Sequence, residues 1–172
     1  GGSQMTIRNG ISRVAGDTTN RTLAFDVGTS YQQNINLNGV VADGGASGAL
    51  SLWNVGLGTL VLAGTNTYTG RTTISSGQMY LVANSLPASG TLALRGTGEP
   101  SRNGIMLGTG SFATPKILVE TGMNIMSAGR TTSTDVSGTA NLGTITRTGG
   151  VVSFQRIGTG STAFLVGNSN NS

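Results

Sequence analysis

The chain has 172 residues and a formal charge of +4; 29 residues are glycine, 9% are charged, and none is cysteine or histidine. Glycine at more than twice its usual share of about 7% excludes a mainly helical fold, because each interior glycine costs a helix about 0.5–1 kcal/mol. Without cysteine or histidine the chain has no disulfide framework and no thiolate or imidazole metal ligand, so we expect no cofactor.

Strand-like runs of four to six residues follow one another along the chain, each closed by turn residues. Most alternate apolar with small or polar side chains, which is the pattern of a strand with one buried face. Hydrophobic residues make up 36% of the chain and aromatic residues 5%, so we expect a narrow core of leucine, isoleucine, valine and alanine. The predicted strands are 22–27, 34–37, 49–53, 59–62, 78–82, 91–94, 116–120, 144–147, 151–154 and 163–166.

The sequence repeats itself within this series of strands. The octapeptide GTLVLAGT at 58–65 returns at 90–97 as GTLALRGT, with six identical positions. A degenerate copy lies at 48–52, and the tetrapeptide at 108–111 returns at 158–161. Periods of about 20–50 residues are typical of stacked repeats, so we predict a β-solenoid of about six to eight coils with variable loops.

A solenoid fold predicts how strands pair, which side chains stack and which residues lie at the corners. Strands pair with the coils above and below at about 4.8 Å, and inward apolar side chains stack on like side chains. Glycine and asparagine are expected to take positive φ angles where the chain turns between faces. Both ends expose unpaired strand edges. We therefore expect the partners of this chain to be further solenoid coils or identical chains, stacked head to tail.

The most specific pattern lies at residues 56–81, which read GLGTLVLAGTNTYTGRTTISSGQMYL. This segment resembles the passenger-associated transport repeat of bacterial autotransporters, also called the autotransporter-associated β-strand repeat. The resemblance is tight over 56–81, with methionine at position 79 for the usual leucine, looser over 48–94, and absent after residue 97. The residues that carry it are Gly58, Thr59, Leu60, Leu62, Gly64, Asn66, Tyr68, Gly70, Thr72, Gly77 and Leu81.

The resemblance implies a right-handed parallel β-helix, extracellular or on the bacterial cell surface, usually within a much larger secreted protein. We accordingly treat residues 1–172 as a single all-β solenoid domain without a substantial helix, and expect it to be an excerpt or mature fragment. No run of the sequence approaches the roughly 20 apolar residues of a membrane-spanning helix.

Several polar and aromatic residues allow both a structural and a binding interpretation. Asn66, Tyr68 and Gly70 suggest either a glycan-binding corner or, as we favour, a corner in which asparagine binds backbone, tyrosine packs on the core and glycine has a positive φ. Trp53 follows two alternating leucines, so we expect it opposite the leucine face. With Tyr31 it is a candidate platform for a sugar ring, and the alternative is packing over a corner.

The acidic residues are isolated from one another in the sequence. A glycosidase needs two carboxylates about 5–9.5 Å apart, and stacking is able to bring Asp17 next to Asp26 or Asp43. Without histidine, a nucleophile motif or a phosphate loop, we nevertheless expect no enzymatic activity. The ten basic residues are equally scattered, which argues against a nucleic-acid groove. The acids are Asp17, Asp26, Asp43, Glu99, Glu120 and Asp135.

These observations leave three functions, in order of preference. The first is a structural module of an extracellular bacterial fibre or surface passenger that stacks end to end through its open edges. The second is an adhesin domain for a cell-surface polysaccharide or a host, with its specificity in loops such as 99–103. The third is a polysaccharide-degrading enzyme. An aromatic-lined groove would favour the second function, and paired carboxylates in a cleft would favour the third.

Overall fold

A computed structural model describes residues 2–45, 47–82, 85–87, 90–97, 103–108, 112–113, 116–128, 138–141, 144–156 and 162–165. Within these ranges every regular element is a strand, and no helix is present that could span a membrane. The strands are β1 Gln4–Ile7, β2 Ile11–Ser12, β3 Arg21–Phe25, β4 Asn34–Leu37, β5 Val41–Ala42, β6 Leu50–Asn54, β7 Thr59–Leu62, β8 Thr72–Ile74, β9 Gln78–Leu81, β10 Thr91–Leu94, β11 Gly104–Leu107, β12 Phe112–Ala113, β13 Lys116–Val119, β14 Met123–Ala128, β15 Gly138–Asn141, β16 Thr144–Arg147, β17 Val151–Arg156 and β18 Thr162–Leu165.

The strands form parallel sheets that the chain visits in rotation. One sheet has seven strands in the order β1-β4-β7-β9-β11-β14-β17, and a second has six in the order β16-β13-β10-β8-β6-β3. A third face carries the pair β2-β5 near one end and the three strands β12-β15-β18 near the other. Each strand therefore pairs with its counterpart one coil away, and the fold is the predicted parallel β-solenoid.

The number of coils is slightly lower than predicted. The structure has about five stacked turns instead of six to eight. The early coils are longer than the middle ones, since Gln4 pairs with Asn34 whereas Thr59 pairs with Gln78, much nearer in the sequence. We expect the winding to be right-handed, because crossovers between parallel strands have that sense in about 98% of cases.

The core consists of side chains stacked in four rows, two from each large sheet. Alternate residues of every strand point inward, and the middle members of each row are almost completely buried. Row 1 is Met5, Ile35, Leu60, Met79, Ile105, Met126 and Phe154; row 2 is Ile7, Leu37, Leu62, Leu81 and Leu107, with Ala128 and Arg156 next in register. Row 3 is Leu23, Leu52, Thr72, Leu92, Ile117 and Ile145; row 4 is Phe25, Asn54, Ile74, Leu94, Val119 and Arg147.

All ten predicted strands are present, each within two residues of its predicted ends. The internal repeat, however, does not mark the coil. Thr59–Leu62 lies in the seven-stranded sheet and Thr91–Leu94 in the six-stranded sheet, so the two copies of the octapeptide belong to different faces. Both faces need a short strand with leucines at alternate, inward positions. The two octapeptides resemble each other because they meet this same local requirement. Most of the shorter repeated tetrapeptide, 109–111 and 158–161, lies outside the described residues.

Candidate functional site

The glycines of the repeat lie where consecutive coils touch through their backbones. A Cβ atom on Gly58, Gly64 or Gly70 would lie within 3.0 Å of backbone atoms of the preceding coil, closer than real Cβ atoms come. For Gly70 these atoms belong to Leu50, whose carbonyl also accepts the N–H of Gly70 at 3.0 Å. Gly70 does not have a positive φ, so that prediction was wrong; among the repeat's glycines Gly77 does, at 65°. Glycine is required at position 70 because any larger residue would collide with the backbone of the preceding coil.

Asn66 joins three consecutive coils. Its Oδ1 accepts a hydrogen bond from the N–H of Val41 at 2.7 Å, and its Nδ2 donates to the carbonyl of Ser85 at 2.6 Å. The two partners lie one coil before and one coil after it, and the side chain is 4% exposed. As predicted, the asparagine binds backbone. It continues the ladder of hydrogen bonds at a point where the third face has no strand.

Tyr68 is fully buried, and its hydroxyl lies 2.5 Å from Oγ1 of Thr72. Thr72 occupies row 3 between Leu52 and Leu92, so this hydroxyl pair satisfies a polar group within an apolar column. Burial raises the pKa of the Tyr68 phenol far above its usual value, and the ring therefore stays neutral. These contacts support the structural interpretation of this corner, because its polar atoms already have partners away from solvent.

The opposite corner holds two buried asparagines: Asn54, which the sequence did not single out, and Asn103, the last residue of the candidate binding loop 99–103. Nδ2 of Asn54 donates to the carbonyls of Ser76 and Gln78 in the next coil, at 3.2 and 3.1 Å. Oδ1 of Asn103 accepts the N–H of Gly77 at 3.1 Å. Both side chains are at most 1% exposed. For Asn54 the available signal was an asparagine at the last inward position of an alternating strand, β6.

The amino-terminal end of the solenoid presents apolar side chains and unpaired backbone. β1 and β3 are the edge strands of the two large sheets. Row 1 begins with Met5, which is 55% exposed, and the other rows begin with Ile7, Leu23 and Phe25. Met5 occupies an inward position, and it is exposed because β1 has a neighbouring strand on one side only.

The carboxy-terminal end differs from the amino-terminal end in charge. Row 1 ends with Phe154, which is 40% exposed, and row 3 ends with the partly buried Ile145. Row 4 ends with the exposed Arg147, and Arg156 holds the corresponding register position in row 2.

A shallow cleft of about 150 Å³ lies on the outer side of the six-stranded sheet. Trp53 is partly buried there, opposite the leucine face as predicted, and its Nε1 donates to Oγ of Ser75 at 2.7 Å. Tyr31, the other candidate platform, does not line this cleft. The residues that line the cleft are Thr22, Ser51, Leu52, Trp53, Arg71, Thr73 and Arg95.

Glu120 holds the two arginines of the cleft together. Its Oε2 lies 2.6 Å from Nη2 of Arg71 and 2.5 Å from Nε of Arg95. The hydrogen bond from Arg71, followed by that from Arg95, lowers the pKa of Glu120 although partial burial acts in the opposite direction. One carboxylate thus fixes two guanidinium groups, one from the residue before β8 and one from the residue after β10.

The other carboxylates with recorded partners stabilise turns. Asp17 lies 2.9 Å from Nη2 of Arg13, and this contact lowers the pKa of Asp17 well below its usual value. Asp43 accepts hydrogen bonds from the N–H of Leu50 at 2.7 Å and from the N–H and hydroxyl of Thr69 at 3.0 and 2.7 Å. Partial burial opposes ionisation of Asp43, but these bonds outweigh it and lower the pKa.

Part of the sequence-based site hypotheses falls beyond the structural description. Glu99 and Asp135 lie outside the described residues, as does the loop 99–103 apart from Asn103. The described part of the chain contains no group of three acidic residues, histidines or cysteines that could hold a metal ion.

The comparisons with known proteins agree with the geometry of the middle coils. The family model described as passenger-associated-transport-repeat matches residues 55–79, which run from the corner before β7 to the start of β9. The resemblance seen in the sequence is thereby confirmed. Neither the comparison with curated proteins nor that with solved structures finds a match. The chain carries a passenger-associated transport repeat in the middle of a parallel β-solenoid.

Proposed function

We propose that this chain is a structural module of a surface-displayed bacterial passenger or extracellular fibre, and that it stacks end to end with further solenoid coils. The observation that carries the proposal is the exposure of Met5 at the open end of a row that is elsewhere buried. The passenger-type repeat at 55–79 supports a location outside the cell.

The mechanical basis is the uninterrupted contact between coils. Parallel ladders join the strands of each large sheet, and Asn54 and Asn66 continue these hydrogen bonds across corners. Each coil contacts only its neighbours, so bending or stretching the rod breaks many small contacts at once. A rod of this kind holds whatever it carries at a fixed distance from the cell surface.

The occupant we propose for the amino-terminal edge is another coil in parallel register. The carbonyls of Ser3 and Ile7 accept hydrogen bonds from β4 and the residue after it, and backbone groups alternate sides along a strand. The N–H and carbonyl of Thr6 therefore face the open edge. A further coil would satisfy these groups and cover Met5 in the same step.

The proposal is tested by blocking the edge without disturbing the fold. Thr6→Pro removes an outward N–H and adds a ring at the edge, whereas Thr6→Ala keeps the N–H and is the matched control. We expect the wild type and Thr6→Ala to associate end to end in sedimentation and in negative-stain micrographs. We expect Thr6→Pro to associate about tenfold more weakly. Wild-type monomers at all concentrations would refute stacking between separate chains, and equal association of Thr6→Pro would refute contact through the edge of β1.

We also propose that the module is not catalytic. The carboxylates Asp17, Asp43 and Glu120 each bind a cation or turn backbone, and these bonds account for their ionised state. The matching assay measures new reducing ends or unsaturated products after incubation with acidic and neutral polysaccharides. Turnover that disappears in Glu120→Gln would contradict this part of the proposal.

A further inference from the structure

The cleft around Trp53 combines three kinds of contact on the outer side of the six-stranded sheet. The partly buried indole forms one side, Arg71 and Arg95 supply positive charge, and Ser51 and Thr73 supply hydroxyls. Its volume of about 150 Å³ equals that of a cavity able to hold benzene, so one six-membered ring fits. The cleft is too small for the 300–1,000 Å³ of a drug-sized ligand.

The arginines keep donors for a ligand. Glu120 accepts from Nη2 of Arg71 and from Nε of Arg95. Within the described part of the chain, Nη1 of Arg71 and both terminal nitrogens of Arg95 make no recorded hydrogen bond. A guanidinium group binds carboxylates through paired N–H donors, which makes such contacts both strong and geometrically specific.

The charge of the cleft matches a single anionic group. Two guanidinium groups and one carboxylate leave a local charge of +1, which one carboxylate of a ligand would neutralise. The hydroxyls of Ser51 and Thr73 accept hydrogen bonds from the N–H and Nε of Arg71, at 3.1 Å each. Their own protons are therefore able to point at ligand oxygens.

We infer that this cleft binds a uronic acid residue of an acidic polysaccharide. The apolar face of the pyranose lies on Trp53, its carboxylate binds Arg95 and Arg71, and its ring hydroxyls bind Ser51 and Thr73. An acidic peptide would use the same charges but gains little from a flat aromatic wall flanked by hydroxyls. The chain would thus hold a polysaccharide along its side, independently of what its ends contact.

Trp53 is the only tryptophan of the chain, so its fluorescence reports on the cleft directly. The probes are a trisaccharide of galacturonic acid, the neutral trisaccharide of galactose, and triglutamate. We expect a saturable change with the galacturonate trisaccharide, and binding at least about tenfold weaker for the other two. No saturable response to the uronate, or an equal response to triglutamate or to the neutral sugar, would overturn the inference.

Two arginine variants distinguish binding in the cleft from non-specific attraction to the positive charge of the protein. Arg95 is 40% exposed, so Arg95→Gln should fold, and we expect it to weaken uronate binding at least about tenfold. Arg8→Gln removes the same charge at an exposed position outside the cleft and should bind within about twofold of the wild type. Trp53→Leu removes the fluorophore, so its uronate binding is measured by calorimetry. We expect the same loss of affinity as for Arg95→Gln. Unchanged binding by Arg95→Gln and Trp53→Leu would refute the site.

Thr6→Pro alters the edge of β1 and leaves the lining of the cleft intact. The stacking role and the sugar site therefore fail or hold separately. Weaker association of Thr6→Pro with unchanged uronate binding supports both proposals. Unchanged association of Thr6→Pro contradicts only the stacking role, and absence of uronate binding in the wild type contradicts only the sugar site.

Discussion

The middle coils and the first coil place apolar side chains in the same rows but bury them very differently. Leu60 and Met5 both belong to row 1, yet Leu60 is completely buried and Met5 is 55% exposed. The strand of Leu60 has neighbours on both sides, whereas β1 has one. In a solenoid, burial depends on a residue's place in the stack more than on its type, because each coil is covered only by its neighbours.

The largest expected difference is in the free energy of unfolding of two variants in row 1. Leu60→Ala should lower the free energy of unfolding by about 2–5 kcal/mol, since it leaves a cavity in a packed column. Met5→Ala in the same row should lower it by less than about 1 kcal/mol, because the side chain is half in water already. Urea unfolding of both variants measures the difference. Equal losses would mean that the first coil is as well covered as the middle.

A second pair of variants compares two coils at one corner. Gly70 and Gly90 occupy equivalent places in consecutive coils, but a Cβ atom on Gly70 would collide with the backbone of Leu50, while one on Gly90 would lie at 3.4 Å from the nearest atom. Gly70→Ala should therefore destabilise by about 1–3 kcal/mol. Gly90→Ala should be neutral or slightly stabilising. Thermal unfolding distinguishes them, and a larger loss at Gly90 would contradict the packing described.

A third prediction concerns the polar pair inside the middle coils. Tyr68→Phe or Thr72→Val alone leaves one buried hydroxyl without its partner and should lower the free energy of unfolding by about 1–3 kcal/mol. The double variant removes both hydroxyls and should lose less than the sum of the two single losses. A full double-mutant cycle, measured by urea unfolding, gives the coupling free energy between the hydroxyls of Tyr68 and Thr72. Strict additivity would show that the two hydroxyls do not interact.

The smallest expected effect is a dependence on acid pH. The lowered pKa of Asp43 means that its contribution to stability is fully present above the usual aspartate pKa of about 3.9. This contribution is lost as the pH falls through the lowered value. Asp43→Asn should remove that part of the acid dependence, with a loss under about 1 kcal/mol at neutral pH. The measurement is the unfolding free energy of both proteins between pH 2 and 7. An unchanged acid profile in Asp43→Asn would contradict the assigned bonds.

The sequence revealed the strands better than their arrangement. Alternating runs such as Thr59–Leu62 and Thr91–Leu94 are local signals, and both strands were predicted with their observed ends. Their assignment to different faces was not predictable, because the two copies look alike while coil length varies from one turn to the next. Eight of the eighteen described strands have no counterpart among the predicted ones. Gly104–Leu107 is an example, since it begins with glycine and has no alternation.

The candidate site was predictable only in part. The outward position of Trp53 followed from the period of β6. The clamp of Arg71 by Glu120 joins residues far apart in the sequence, and no local pattern announces such a pair. The glycine at position 70 was expected for its φ but is required because two coils touch there. Contacts between coils decide both features, and a single sequence does not show which residues meet.

The open edge of the first coil is tested most directly by amide hydrogen exchange, followed by NMR, in the monomeric chain. We predict that the amides of β7 exchange only with global unfolding, and that the N–H of Thr6 exchanges almost as fast as in an unpaired strand. Met5 and Ile7, whose backbone groups face β4, should be intermediate. Exchange at Thr6 as slow as at Leu60 would show that the edge is already paired or covered, and would contradict the open solenoid.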